Sequence, residues 1–184
     1  IYALYGFVRL ADEIVDSFHD FDKRKLLDEF EAEFDKSIET KISINPIINS
    51  FQKIYHDYNF EHVLVKSFIN SMRHDLDYKL YSKDALNHYI HGSAEVIGLM
   101  CLKIFVNGNQ EKFTKLKDSA ISLGIAFQKI NFLRDLKYDH NILNRNYFNI
   151  EMKDGGFDSQ KQMIVDDVKK EFKNALIGIK KLNK

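Results

Sequence analysis

The segment from Gly124 to Tyr147, GIAFQKINFLRDLKYDHNILNRNY, sets the tightest limit on what this chain can become. Gln128, Asn131, Asp135 and Asp139 recur every three or four residues, so on a helix they share one face. Ile125, Phe127, Ile130, Phe132, Leu133 and Leu136 take much of the remaining surface. A helix so apolar is expected to be buried. Buried acids and amides need partners, because unpaired buried charge is costly. For a lone Asp pair at i, i+4 a solvated face is the ordinary reading. Here the apolar flanks favour an internal wet cavity.

A second stretch answers the first. Tyr5, Arg9, Asp12 and Asp16 in YGFVRLADEIVD also share a helical face, with Leu10, Ala11, Ile14 and Val15 around them. Two Asp-x-x-x-Asp helices face to face bring four carboxylates together, and mutual repulsion then calls for cations. Hard oxygen donors on rigid helices suit Mg²⁺, with Mn²⁺ as a substitute, and Mg²⁺ commonly shares its shell with phosphate. Each motif has an arginine near its start, Arg9 and Arg134.

The rest of the chain is consistent with one helical domain over residues 1–184. A single proline, Pro46, and few alternating β-branched runs favour an all-α fold. Helices are expected at about Ile1–Phe18, Lys23–Ile38, Ile47–Tyr58, Glu61–Lys79, Ser82–Val106, Glu111–Lys137 and Gln160–Leu182. Asn45 and Ser82 are the expected caps. A polar stretch to Phe157 contains Gly155-Gly156 as hinge or turn. At 45% hydrophobic residues the chain can build a real core. Lys+Arg and Asp+Glu are both 27, so no basic excess points to nucleic acid. The lone cysteine, Cys101, excludes an internal disulfide and sits among apolar neighbours as an inert thiol. No signal peptide and no spanning run of about 18 apolar residues is visible, so a cytoplasmic location is expected. The chain opens at Ile1 and closes at KKLNK, both within helical patterns, and is expected to be a fragment of a longer protein.

Taken together these motifs resemble the squalene/phytoene synthase family, the head-to-head prenyl synthases. The resemblance rests on DEIVD at Asp12–Asp16 after YALYGFVRLA, and on QKINFLRDLKYD followed by NRNYF at Asn144–Phe148. Between them, SMRHDLDYKLY at Ser71–Tyr81 is similar to the family's Met-x-x-Asp-Leu segment. YIHGSAEVIGLM at Tyr89–Met100 is similar to its Tyr-plus-small-residue helix. Four motifs in order span nearly the whole chain, and their wording is nearer to bacterial phytoene synthases than to eukaryotic squalene synthases.

The resemblance implies an isoprenoid-synthase-type helical bundle around a central cavity, incomplete here at both ends. It implies Mg²⁺-dependent condensation of two prenyl diphosphates through a cyclopropyl intermediate, with phytoene synthesis from C20 substrate leading. Squalene or dehydrosqualene synthesis from farnesyl diphosphate is the alternative, with NADPH needed only for squalene-type product. Asp12, Asp16, Asp135 and Asp139 would ligate the metal. Arg9, Arg134 and Arg145 would meet phosphate oxygens, for which the guanidinium fork is suited. Salt bridges to the adjacent aspartates are the competing role for Arg9 and Arg134. Arg145 and Tyr147 match the family's Arg-x-Tyr and would meet substrate, although the Asp139-to-Arg145 gap is one residue longer than the family pattern, which weakens the match at Arg145. Tyr5 and Tyr89 resemble active-site tyrosines, and Gln128 and Asn131 the amides near the second diphosphate. Tyr89, Ser93, Ala94, Ile97 and Gly98 would line the prenyl channel, with close helix packing the competing role for Ala94 and Gly98. Glu95 has no assigned role. Peripheral membrane contact during product release would accompany a hydrocarbon product.

Other readings fit less well. His74-Asp75 is the dipeptide of His-Asp phosphohydrolases, but further matching histidines are lacking. A ferritin-like site needs two Glu-x-x-His repeats, and only Asp16-to-His19 comes near. A non-catalytic helical relative serving as a binding or assembly protein would be expected to lose the aspartates, and all four are present.

Overall fold

The computed structural model describes residues 1–77, 82–141, 147–148 and 156–182, without the side chains of 83, 138–141 and 156–160. Among the described residues there are helices and turns and no strand. The order is α1 (Tyr2–Asp16), α2 (Lys23–Thr40), α3 (Pro46–Asp57), α4 (His62–Asp77), α5 (Lys83–Ile90), a π segment (His91–Glu95), α6 (Val96–Phe105), α7 (Gln110–Asn141) and α8 (Gly156–Ile179).

Local chemistry sets these ends. Asp22 caps α2 by accepting the Lys25 amide at 3.0 Å, and Lys41 closes it in the left-handed region at φ 57°. Asn45 accepts the Ile47 amide at 3.0 Å ahead of Pro46, whose missing N–H costs nothing in a first turn. Ser82 accepts the Ala85 amide at 3.2 Å, so both expected caps are present. After α6 the chain turns through Asn107 and Gly108 at φ 51° and 71°, a conformation these two residue types adopt more readily than most.

Helices α1–α4 enclose the larger core. Phe7 stacks on Phe51 with centroids 3.9 Å apart, and Phe30, Phe34 and Phe68 surround it at 4.7, 5.3 and 6.3 Å. Outside this core, α2 and α4 are stitched by charge. Lys66 donates to Glu31 at 2.6 Å and Asp35 at 2.7 Å, while Arg73 bonds Asp28 at 2.7 Å and also Glu31. Burial acts against the Glu31 anion, but hydrogen bonds from Lys66 and Arg73 outweigh it and hold the carboxyl below its usual range.

Helix α7 is the spine of the other half. Its 32 residues run about 48 Å at 1.5 Å per residue. Gly98 of α6 lies against Ala120, and Gly124 against Ala94, so the two helices run antiparallel. Ser119 donates to the Asn174 carbonyl at 3.2 Å and Lys129 pairs with Asp167, which sets α8 antiparallel too. At Gly98 an added Cβ would meet the Ala120 carbonyl oxygen at 2.6 Å, and at Gly124 the Ala94 carbonyl oxygen at 2.6 Å.

Three sequence expectations change here. The single helix expected over Ser82–Val106 is interrupted by the π segment, where His91 and Glu95 side chains meet at 2.8 Å. Helix α8 begins at Gly156 rather than Gln160, so Gly156 opens a helix instead of forming a hinge; Gly155 lies outside the described residues. Helix α7 is not buried all round, because Phe127 is 55% and Ile130 42% exposed. Helices α6 and α8 cover parts of its circumference, and the remainder meets the cavity and solvent.

Candidate active site

A cavity of about 790 Å³ lies between the two halves, within the roughly 300–1,000 Å³ usual for small-molecule sites. Helix α1 contributes Tyr5, Val8, Arg9 and Asp12, and α4 contributes Phe68 and Met72. Tyr89, Ser93, Ala94, Ile97, Gly98 and Cys101 follow along α5, the π segment and α6. On α7 the wall runs from Leu116 to Arg134, about 27 Å by helical rise.

The register makes this wall polar at one end only. Gln128, Asn131 and Arg134 stand at the α7 end opposite α5, where Tyr89 packs on Phe132 with centroids 6.0 Å apart. At the other end Leu102, Phe105 and Leu116 meet Ala175, Gly178, Ile179 and Leu182 of the α8 region. The polar exception there is Ser119, whose hydroxyl is already turned to Asn174. Tyr5 is 65% and Phe127 55% exposed although both line the space, which marks an opening between α1 and α7.

Both arginines hold adjacent acids. Arg9 bonds Asp12 at 2.7 Å and also Glu13. Arg134 grips Asp135 with two bonds, at 2.8 and 2.6 Å, and those bonds hold the Asp135 carboxyl below the usual aspartate range against its partial burial. The salt-bridge role expected as the competitor for Arg9 and Arg134 is therefore present. These pairs are largely exposed, and exposed pairs contribute only about 0–1 kcal/mol, so an anionic ligand can exchange into them at small cost.

Of the residues named from sequence, Tyr5, Arg9, Asp12, Tyr89, Ser93, Ala94, Ile97, Gly98, Gln128, Asn131 and Arg134 all line this one cavity. Asp16 and Asp135 are half-buried beside lining residues on α1 and α7 but are not themselves part of the lining. Tyr147 is 5% exposed and stacks on Phe132 at 4.1 Å, in an aromatic cluster behind the wall. The Asp139 side chain and Arg145 lie outside the described residues. Gly98 lines the cavity, yet its Cβ direction leads into the α7 backbone, so close helix approach is the role its geometry supports.

The donor chemistry of Asp12, Asp16 and Asp135, all hard carboxylate oxygens, fits Mg²⁺. Among the described residues no three acids, histidines or cysteines already converge on one point. Cys101 lines the wall with its thiol pushed up in pKa by burial, the reverse of an activated nucleophile. Glu95, without a role in the sequence reading, is the partner of His91.

Sequence reasoning missed two features. One is the set of α8 residues that shut the apolar end, which carry no motif. The other is the partner of Asp75: the sequence places this acid only within the Met-x-x-Asp-Leu segment, and the structure shows it accepting the Tyr89 hydroxyl at 2.7 Å. An acid close to the C-terminus of α4, where the helix dipole disfavours it, was the available signal.

Comparison with known proteins bears on the family and the fold. The farnesyl diphosphate phosphatase YisP of Bacillus subtilis is 32% identical over 117 residues, 62% of this chain and 42% of its own length. The chain thus spans about two fifths of that curated relative. The crystal structure of squalene synthase HpnC from Alicyclobacillus acidocaldarius superposes with a TM-score of 0.81 at 21% identity, over 99% of this chain and 73% of that one. A dehydrosqualene synthase crystallised with ligand gives 0.83 at 18% identity, over 100% of this chain and 68% of that one. These two likenesses establish the isoprenoid-synthase-type helical fold. The profile of squalene/phytoene synthases matches residues 1–175, and the chain belongs to that family.

Proposed function

We propose that this chain binds allylic prenyl diphosphates in the cavity and joins two of them head to head. The observation that carries the reading is the polarity gradient of one elongated space. Gln128, Asn131 and Arg134 of α7 stand at one end, Arg9 and Asp12 of α1 line the same space, and the other end of the α7 wall meets hydrocarbon. A diphosphate ester of a long apolar alcohol has that same distribution. Asp12, Asp16 and Asp135, with Asp139, would hold Mg²⁺, which when bound neutralises the departing diphosphate. The guanidiniums of Arg9 and Arg134 would turn from their aspartates to phosphate oxygens. Tyr89 lines the space, and an aromatic ring there attracts the allylic cation left behind. The apolar walls keep water from it.

For substrate length, C15 is the reading we adopt, because the curated relative is named for farnesyl diphosphate. The wording of the sequence motifs favours C20 and phytoene. At about 1.2 Å per extended bond, a C15 chain runs about 14 Å and a C20 chain about 19 Å, so the wall accommodates either. That same relative favours a second reading, in which water captures the cation and the product is the free alcohol. A hydrocarbon product would be handed to a lipid phase, so peripheral membrane contact belongs to the first reading only. Within the described residues no helix is long and apolar enough to cross a membrane.

Product analysis separates these readings. Protein supplied with C15 or C20 diphosphate and Mg²⁺, with and without reduced nicotinamide, is expected to give a C30 hydrocarbon from the C15 substrate. A C40 hydrocarbon would restore the phytoene reading, farnesol alone would establish the phosphatase, and no turnover would end both. Asp12→Asn or Asp135→Asn should lower the rate at least about a hundredfold, since metal-held charge contributes several kcal/mol at the leaving group. Full activity in either variant would remove that aspartate from the site.

A further inference from the structure

We propose that Asp75 is a positioning residue for the cavity tyrosine, acting through the Tyr89 hydroxyl; this inference rests on the prenyl-transfer reading of the site. Tyr89 is 6% exposed and fixed from two directions. Its ring lies against Phe132 at 6.0 Å and Tyr147 at 5.4 Å. Its hydroxyl donates to Asp75 Oδ2 at 2.7 Å, a well-formed O–H···O bond. Stacking alone would leave the ring free to slide in its plane. The hydroxyl bond removes that freedom and sets which part of the ring meets the cavity.

Asp75 is poorly placed for helix stability. It lies in the last turn of α4, where the helix dipole disfavours an anion. Asp75 instead reaches across to α5 and the cavity wall. A residue that breaks a local rule while contacting a lining side chain marks a site function.

The test is a mutant cycle on the full chain with C15 diphosphate and Mg²⁺, using Asp75→Ala, Asp75→Asn, Tyr89→Phe and the Asp75→Ala/Tyr89→Phe double variant. Asp75→Ala should lower kcat about tenfold with KM changed less than about twofold, because the ring is used after the diphosphate is bound. The double variant should be no slower than Tyr89→Phe alone. Asp75→Asn keeps an acceptor oxygen in the same place and should recover most of the rate. Additive losses, a kcat and KM that fall with the melting temperature, or no recovery by Asn would overturn the positioning role. If the unaltered protein converts no prenyl diphosphate, the functional reading fails first. If it does convert it and Asp75→Ala matches it, only the Asp75 proposal fails.

Discussion

Phenylalanine serves opposite ends in the two halves of this molecule. In α1–α4, Phe7, Phe34, Phe51 and Phe68 are at most 1% exposed and fill the space between helices. In α6 and α7, Phe105 and Phe127 are 58% and 55% exposed and border a space left empty. The helices there are joined by small residues, with Gly98 on Ala120 and Gly124 on Ala94. Large side chains hold helices apart and exclude solvent. Glycine contacts draw backbones together on one side and leave room on another. The fold therefore separates the part that resists unfolding from the part that can admit a ligand.

The largest effect should come from attacking the filled half. Phe51→Ala is expected to cost about 3–5 kcal/mol, as for buried aromatic truncations generally. Phe105→Ala should stay within about 1 kcal/mol, since an exposed ring leaves little cavity behind. Urea denaturation of both variants checks this, and equal losses would erase the contrast.

Gly98→Leu tests the glycine contacts. The added side chain must push α6 from α7, at about 1–3 kcal/mol of stability. Turnover of C15 and C20 substrates should then fall alike. A changed C15-to-C20 ratio with unchanged melting temperature would instead place Gly98 in substrate selection.

The smallest effect belongs to the charge lattice over the filled half. Glu31 has a depressed folded pKa, so its contribution is present above its unfolded pKa, near ~4.3, and is lost as pH falls through the lower folded value. Glu31→Gln should cost about 1–2 kcal/mol at neutral pH, toward the low end for hydrogen bonds to charged groups because the partners Lys66 and Arg73 are partly exposed. The gap between variant and parent should shrink as denaturation is repeated at progressively more acid pH. A gap constant with pH would show that packing, not charge, ties α4 to α2.

Much of this was legible because it is periodic or local. The stripes Arg9–Asp12 and Gln128–Asn131 repeat at helical spacing, and Asn45 and Ser82 are caps by virtue of their own side chains. What escaped depends on neighbours distant in sequence. Phe127 and Ile130 look like core residues on a helical wheel, but burial needs another helix above them and none of the described ones covers that arc. The Cβ direction of Gly98 is fixed by where α7 passes. Asp75 and Tyr89 are joined by a bond between two helices, which no spacing within either one encodes.

The π segment has a consequence for phase. Residues Tyr89, Ser93, Ile97 and Cys101 are four apart, and on a plain α-helix each step drifts about 40° around the axis, or about 120° over the three steps. A single π turn absorbs one residue, which returns the later positions by about 100°. The four then stay within roughly one sixth of the circumference, and all four line the cavity. The segment works as a vernier: one surplus residue cancels the drift that a spacing of four would otherwise accumulate. Removing one residue between His91 and Glu95 would leave α5 and α6 in their present relation with an ordinary helix between them. That surplus residue is thus dispensable to the scaffold, and what it adds is confined to the stretch of wall around Ser93 and Ala94.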